Sequence, residues 1–298
     1  MRRSGQSLLA WILTGAILFA GPPAVAQDKA PPKLPKVPDG TKVERDIAYG
    51  THERQKLDVY VPRGDGPFPL VIWVHGGAWQ GGSKDGGGPV IPLLSHGYAV
   101  ASTNYRLSRH EVFPAQIHDV KAAVRFLRAN AKKYHLDPER FGACGASAGG
   151  HLVALLATSG GVKELEGDGA NKDDSSKVSA VIDFFGPTDL ARLSPPAAKD
   201  NPVTRLLGGT TGDKKDLAAL ASPVTHVTKD DPPILIVHGD EDHLVPASQS
   251  VLLHEALKKA GVDSTLIVIH GAGHGSGIFV PERMNDYVGF FDKHLKKK

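Results

Sequence analysis

The chain has 298 residues, a formal net charge of +3 and an ordinary mix of 41% hydrophobic and 22% charged residues, so it reads as a globular protein of one large or two smaller domains. No basic stripe is interleaved with aromatics, which argues against nucleic acid as a partner. The single cysteine, Cys144, excludes any intramolecular disulfide.

Arg2 and Arg3, an apolar run from Leu8 to Ala20 and the small residues of Ala24-Val25-Ala26 predict a secretory leader over residues 1–26, removed after Ala26. The apolar run is too short for a membrane span and is followed by Pro22-Pro23, so no stable span is expected after cleavage. Residues 27–40 are rich in proline and lysine and predict a linker. The folded domain is expected over residues 41–298.

Val43 to Tyr49 and Lys56 to Val61 predict an antiparallel strand pair at a sheet edge. Pro69 to His75 is a continuous apolar run of the kind buried on both faces of a parallel sheet, and Tyr98 to Thr103 is another. Ile117, Val120, Val124 and Leu127 carry a helical period that is expected to stop near Asp137-Pro138. Further strands are predicted before Ser147 and at Val178 to Phe185, Ile234 to Val237 and Thr265 to Ile269, with helices at 148–158, 247–260 and 281–295. This alternation predicts an α/β fold, a mostly parallel central sheet flanked by helices. Two stretches break it: Gly160 to Lys177, and Arg192 to Asp231, the latter long enough to form a small cap with a helical run near Leu217 to Ala221. Asp168 to Asp174 lacks the spacing of a calcium-binding EF-hand loop.

Gly145-Ala146-Ser147-Ala148-Gly149 fits G-x-S-x-G, in which a serine sits on a strained strand-to-helix turn. A serine hydroxyl needs a base, and the base needs an orienting group. The turns after the last two strands supply them. His274 is the candidate base and His270 the structural one. Asp242 is the candidate acid, with Asp240 read as a turn cap, Glu241 as a solvent-facing residue and Asp183 as the outside alternative. His75-Gly76-Gly77-Ala78-Trp79 is a glycine turn whose N–H groups can face a developing oxyanion, with the N–H of Ala148 as the second donor. Trp79 reads as a stacking platform or pocket wall, or else a core aromatic. His75, Asn104, Tyr105 and Arg106 read as braces of the glycine turn, and His118, His151 and His243 as local hydrogen-bonding or surface groups. A metal site from His238, Asp242 and His243 would compete for the same acid, and no dinucleotide glycine pattern is present. The chemistry requires no metal and no cofactor.

From about Lys42 to Leu295 the sequence resembles the α/β-hydrolase superfamily, within it the secreted esterase and lipase group related to bifunctional feruloyl and acetyl xylan esterases, and distantly the prolyl oligopeptidases. The residues that carry the likeness are His75 to Trp79 with Gly82-Ser83-Lys84, Asn104 to Leu107, Phe113 to Ala115, Gly145 to His151, Phe185 to Asp189, His238 to Pro246 and His274 to Ser276. The resemblance implies a triad of Ser147, Asp242 and His274 and an oxyanion hole of Gly76 or Gly77 with Ala148. It implies an exported serine esterase acting on small acyl or feruloyl esters, including esters of carbohydrates. An exopeptidase of the prolyl oligopeptidase type and a non-catalytic binding protein on a hydrolase fold are the alternatives.

Overall fold

Side chains alternate between two cores along the central strands, and that alternation decides the architecture. In the computed structural model, which describes residues 36–296, strand β3 (Phe68–Val74) sends Leu70, Ile72 and Val74 into one core and Val71 and Trp73 into another. A strand buried on both faces needs a layer of chain on each. The leader assigned to residues 1–26 and the linker up to residue 35 lie outside the described residues, as do Lys297 and Lys298.

Among the described residues the sheet has eight strands. The other seven are β1 (Lys42–Ala48), β2 (Lys56–Val61), β4 (Ala99–Thr103), β5 (Leu136–Ala146), β6 (Ala180–Phe184), β7 (Ile234–Gly239) and β8 (Ser264–Ile269). Their order is β1-β2-β4-β3-β5-β6-β7-β8; β2 runs antiparallel to β1 and β4, and every later pairing is parallel. Strand β1 is exposed along nearly its whole length, as an edge strand should be. Helices α1 (Ala115–Ala129), α2 (Ala148–Thr158) and α6 (Ser248–Ala260) cover one face, and α7 (Pro281–Leu295) covers the other. Short helices α3 (Leu190–Leu193), α4 (Pro202–Leu207) and α5 (Lys215–Leu220) occupy the stretch after β6.

One local reading of the sequence differs from the structure. Helix α1 ends at Ala129, and Asp137-Pro138 falls inside the start of β5, where Leu136 pairs with Phe68. Residues 130–135 form turns that end with His135 at a φ of 55°, and the Asp137 carboxylate accepts from the Glu139 N–H and from Arg140, which seats Pro138 at a strand entrance. Asp85–His96, to which no sequence period pointed, is a run of 3₁₀ turns. Gly86, Gly87 and Gly88 have φ near +70°, after which Val90, Ile91, Leu93 and Leu94 pack into the second core. Pro89 and Pro92 remove the donors a regular helix would need.

Candidate active site

Parallel strands β5, β7 and β8 end on the same edge of the sheet, and the side chains singled out in the sequence meet there. Ser147 lies between β5 and α2 with φ 56° and ψ −119°, a conformation that costs a non-glycine residue about 1–3 kcal/mol. Its N–H donates to the Phe184 carbonyl at 2.9 Å and its carbonyl accepts from the His151 N–H at 2.9 Å, which offsets that strain. The flanking glycines are dictated by contact. A Cβ at Gly149 would stand 2.1 Å from the Val74 carbonyl oxygen, and one at Gly145 2.4 Å from that of Gly149.

His274, 127 residues further along the chain, brings Nε2 to 2.9 Å from Ser147 Oγ, and its Nδ1 lies 2.7 Å from Asp242 Oδ2. An ionised carboxylate only accepts, so the imidazole proton belongs on Nδ1 and Nε2 is left to accept from the serine hydroxyl. The Asp242 side chain is fully buried. Burial alone would raise its pKa, but the Val245 N–H, the His274 imidazole and the Leu244 N–H together hold it below the usual carboxylate value. His238 adds a fourth approach, Nε2 to Oδ2 at 3.3 Å, while its own bonds run to the Val245 carbonyl and Ser250 Oγ. Burial lowers the His238 pKa and keeps the ring neutral. Asp240 instead meets the exposed His270 at 2.7 Å, and Glu241 and His243 face solvent. Asp183 is buried and bonds the Gly186 N–H, away from both imidazoles.

Gly76, Gly77 and Ala148 line the same cavity as Ser147 and His274. Among the described residues none of their three N–H groups meets a backbone acceptor outside regular structure. The turn that carries the two glycines is braced from below. Tyr105 stacks on His75 at 4.4 Å and donates its hydroxyl to the His75 carbonyl at 3.0 Å. His75 Nδ1–H donates to the Gly76 carbonyl, and burial pulls this histidine down to about 4, so Nε2 is free to accept from Arg54 at 3.1 Å. Arg54 also donates to the carbonyls of Tyr105 and Gly82. Asn104 accepts from the Lys84 N–H, and Arg106 grips Asp119. Trp79 is both pocket wall and core: its indole N–H donates to His151 Nδ1 at 3.2 Å, and His151 Nε2 donates to the Ala221 carbonyl at 2.7 Å. His118 bonds the Glu164 carbonyl. Cys144 is fully buried and its thiol pKa is pushed up by burial, as suits an inert side chain.

The cavity encloses about 660 Å³. Trp79, Phe185, Leu193, Val203 and Leu244 form much of its wall, and among the described residues no Lys, Arg, Asp or Glu lines it. Among the described residues no His, Cys, Asp and Glu cluster is arranged to hold a metal, and no helix is long and apolar enough to cross a membrane. Sequence reasoning missed Arg54 and the placement of Phe185 in the cavity wall. Arg54 left no signal, because it acts from a turn between two edge strands. Phe185 could have been found, since it directly follows β6 at the edge where the other site residues gather.

The BD-FAE family model matches residues 57–257. Esterase LipC of Mycobacterium tuberculosis is 32% identical over 239 residues, which cover 78% of this chain and 59% of LipC. The chain spans about half to three fifths of the length of the curated relatives it matches. Among solved structures, a truncated carbohydrate esterase from gut microbiota superposes with a TM-score of 0.80 at 36% identity, covering 86% of this chain and 97% of that one. Esterase 2 of Thermogutta terrifontis, phosphonylated by sarin, gives 0.69 at 27% identity, covering 89% and 99%.

Proposed function

The chain belongs to the BD-FAE family, and from that premise we propose that it is an exported serine esterase that cleaves small acyl or feruloyl esters, including those of carbohydrates, through an acyl-enzyme. The observation that carries this reading is the unbroken line of hydrogen bonds from Ser147 through His274 to Asp242 at the wall of an uncharged cavity. Ser147 Oγ attacks the ester carbonyl carbon while its proton passes to His274 Nε2. Negative charge moves to the carbonyl oxygen, which receives the N–H groups of Ala148 and of Gly76 or Gly77. One such donor is worth about 3–4 kcal/mol in the transition state. The imidazolium, steadied by Asp242, returns the proton to the departing alcohol oxygen. Water then repeats the sequence on the acyl-enzyme and frees the acid. No cofactor takes part.

The substrate class rests on two supports: likeness to a carbohydrate esterase and the apolar cavity wall, which suits an uncharged acyl group. An exopeptidase would need a charged side chain to grip a peptide terminus, and the cavity lining offers none. The stretch over residues 192–231 contributes Leu193, Ser194, Pro195, Asn201, Pro202 and Val203 to the wall, which supports its reading as a cap. Export rests on the leader assigned to residues 1–26.

Release of p-nitrophenol from acetyl, butyryl and octanoyl esters, measured beside Ser147→Ala, tests the proposal. Hydrolysis should fall by about 10³-fold or more in the variant, and the chain-length preference reads the cavity depth. A folded wild type that hydrolyses none of the three would sink the esterase reading.

A further inference from the structure

His274 sits in a loop whose backbone alone cannot hold it. Glycines occupy positions 271, 273, 275 and 277, and three of them have left-handed φ values of 70°, 89° and 70°. The two ring nitrogens are tethered to Asp242 and Ser147. Beyond these two bonds the ring is held only through Cβ to that glycine-rich loop, so tilt about the line that joins its nitrogens is limited by the loop and by what packs on the ring. A contact on the ring face would fix its plane.

Phe185 supplies it. Its ring centroid lies 4.7 Å from that of His274 at an interplanar angle of 67°. Its Cζ is 3.5 Å from where a Cβ on Gly275 would stand, so the same ring packs against the loop as well as the imidazole. Phe185 is itself rigidly set, although a φ of 46° is costly for a bulky residue. Its N–H donates to the Val237 carbonyl at 2.8 Å, and the next N–H, of Gly186, donates to the buried carboxylate of Asp183 at 2.9 Å. Strain kept in place by two buried hydrogen bonds, at a residue that touches the candidate base, marks a position set for more than filling space.

We propose that Phe185 is a positioning residue that fixes the plane of the His274 imidazole between Asp242 and Ser147. The inference rests on the esterase reading above. The ring also belongs to the second core, 6.1 Å from Phe279, so the test must separate positioning from simple packing.

The experiment compares wild type, Phe185→Leu and Phe185→Tyr as the full chain on p-nitrophenyl acetate, with kcat, KM and Tm measured for each protein. Leucine at φ 46° is no less strained than phenylalanine, so the backbone cost is common to both. With the plane released, kcat should fall about 10-fold, since a small misplacement of a reacting group is costly, while KM changes less than about 2-fold. Phe185→Tyr, which keeps the ring, should recover kcat to within about 3-fold of wild type. If Phe185→Leu does not fold, Phe185→Met carries the same comparison. A folded leucine or methionine variant with wild-type kcat overturns the proposal and leaves the esterase reading intact. A wild type without hydrolysis removes that reading, and this inference with it.

Discussion

Asp240 and Asp242 stand two residues apart on one turn and differ in what holds them. Asp240 is exposed and caps the opposite turn by accepting from the Gly271 N–H and meeting His270. Asp242 is buried, with Oδ1 taking two N–H groups and Oδ2 facing His274. An amide at position 242 would still fill the space, but its NH₂ would confront either those two donors or the Nδ1–H of the imidazole, which then adopts the wrong tautomer. Asp242→Asn is therefore expected to lower kcat by about 10²–10⁴-fold, whereas Asp240→Asn should change it less than about 3-fold, because an exposed pair contributes little. Steady-state kinetics on an acetyl ester, with the fold checked by circular dichroism, reads both. Equal losses would mean that the acid lies elsewhere. Distance along the chain from the strand end pointed to Asp242 as the aspartate that reaches His274, and the 2.7 Å contact agrees with that placement. The brace from Arg54 was not legible in the sequence, because nothing in a turn between edge strands signals a contact with the loop after β3.

At the scale of elements, periodic segments were legible and insertions were not. Strand runs such as Ile234 to Val237 carry their burial in their own composition. The stretch from Gly160 to Lys177 is rich in Gly, Asp, Lys and Ser and carries no period, yet its Glu166 is tied firmly to α1. Glu166 accepts from Lys121 at 2.6 Å and from Arg125 at 3.2 Å, and both cations are almost wholly buried. Burial opposes ionisation of Glu166, but Lys121, Ser176 and Arg125 hold its pKa below the ordinary value. Burial in turn pulls the Lys121 pKa down despite its partner, so the assembled pair need not stabilise the protein relative to an apolar one. Breaking it is different, because two buried cations lose their carboxylate. Glu166→Gln is expected to cost about 3 kcal/mol, the low end for stranding a buried ion, since Glu166 is itself one-third exposed. Urea unfolding at pH 7 measures this. The contribution belongs to a carboxyl with a depressed folded pKa, so it is present above the unfolded value of about 4.3 and is lost as pH falls below it. The difference between wild type and variant should therefore shrink on acidification, and a difference that grew instead would contradict the assignment.

For the whole molecule, a parallel sheet gathers on one edge groups that lie 127 and 32 residues apart in the chain, and in doing so it buries one carboxyl it does not use. Asp183 lies on β6 between β5 and β7, fully buried, with Oδ1 accepting from the Gly186 N–H and Oδ2 without a hydrogen-bond partner among the described residues. Burial raises its pKa to about 7, against the smaller lowering effect of the Gly186 N–H. The sign follows from where the proton prefers to be. In the unfolded chain the group ionises near pH 3.9, while in the folded protein it stays protonated to about 7. Folding therefore becomes less favourable as pH rises through that window and the penalty levels off above it, at about 4 kcal/mol at most. Asp183→Asn keeps an oxygen for the Gly186 N–H and is neutral at every pH. It also places an NH₂ where Oδ2 had no partner, a cost that does not depend on pH. Only the change with pH of the stability difference is diagnostic. Measured by urea unfolding, the variant should gain on wild type steadily from pH 4 to 7 and hold its gain at pH 8. A constant difference across that range would mean that water or a small rearrangement relieves Asp183, and that the charge at the centre of the sheet does not limit stability.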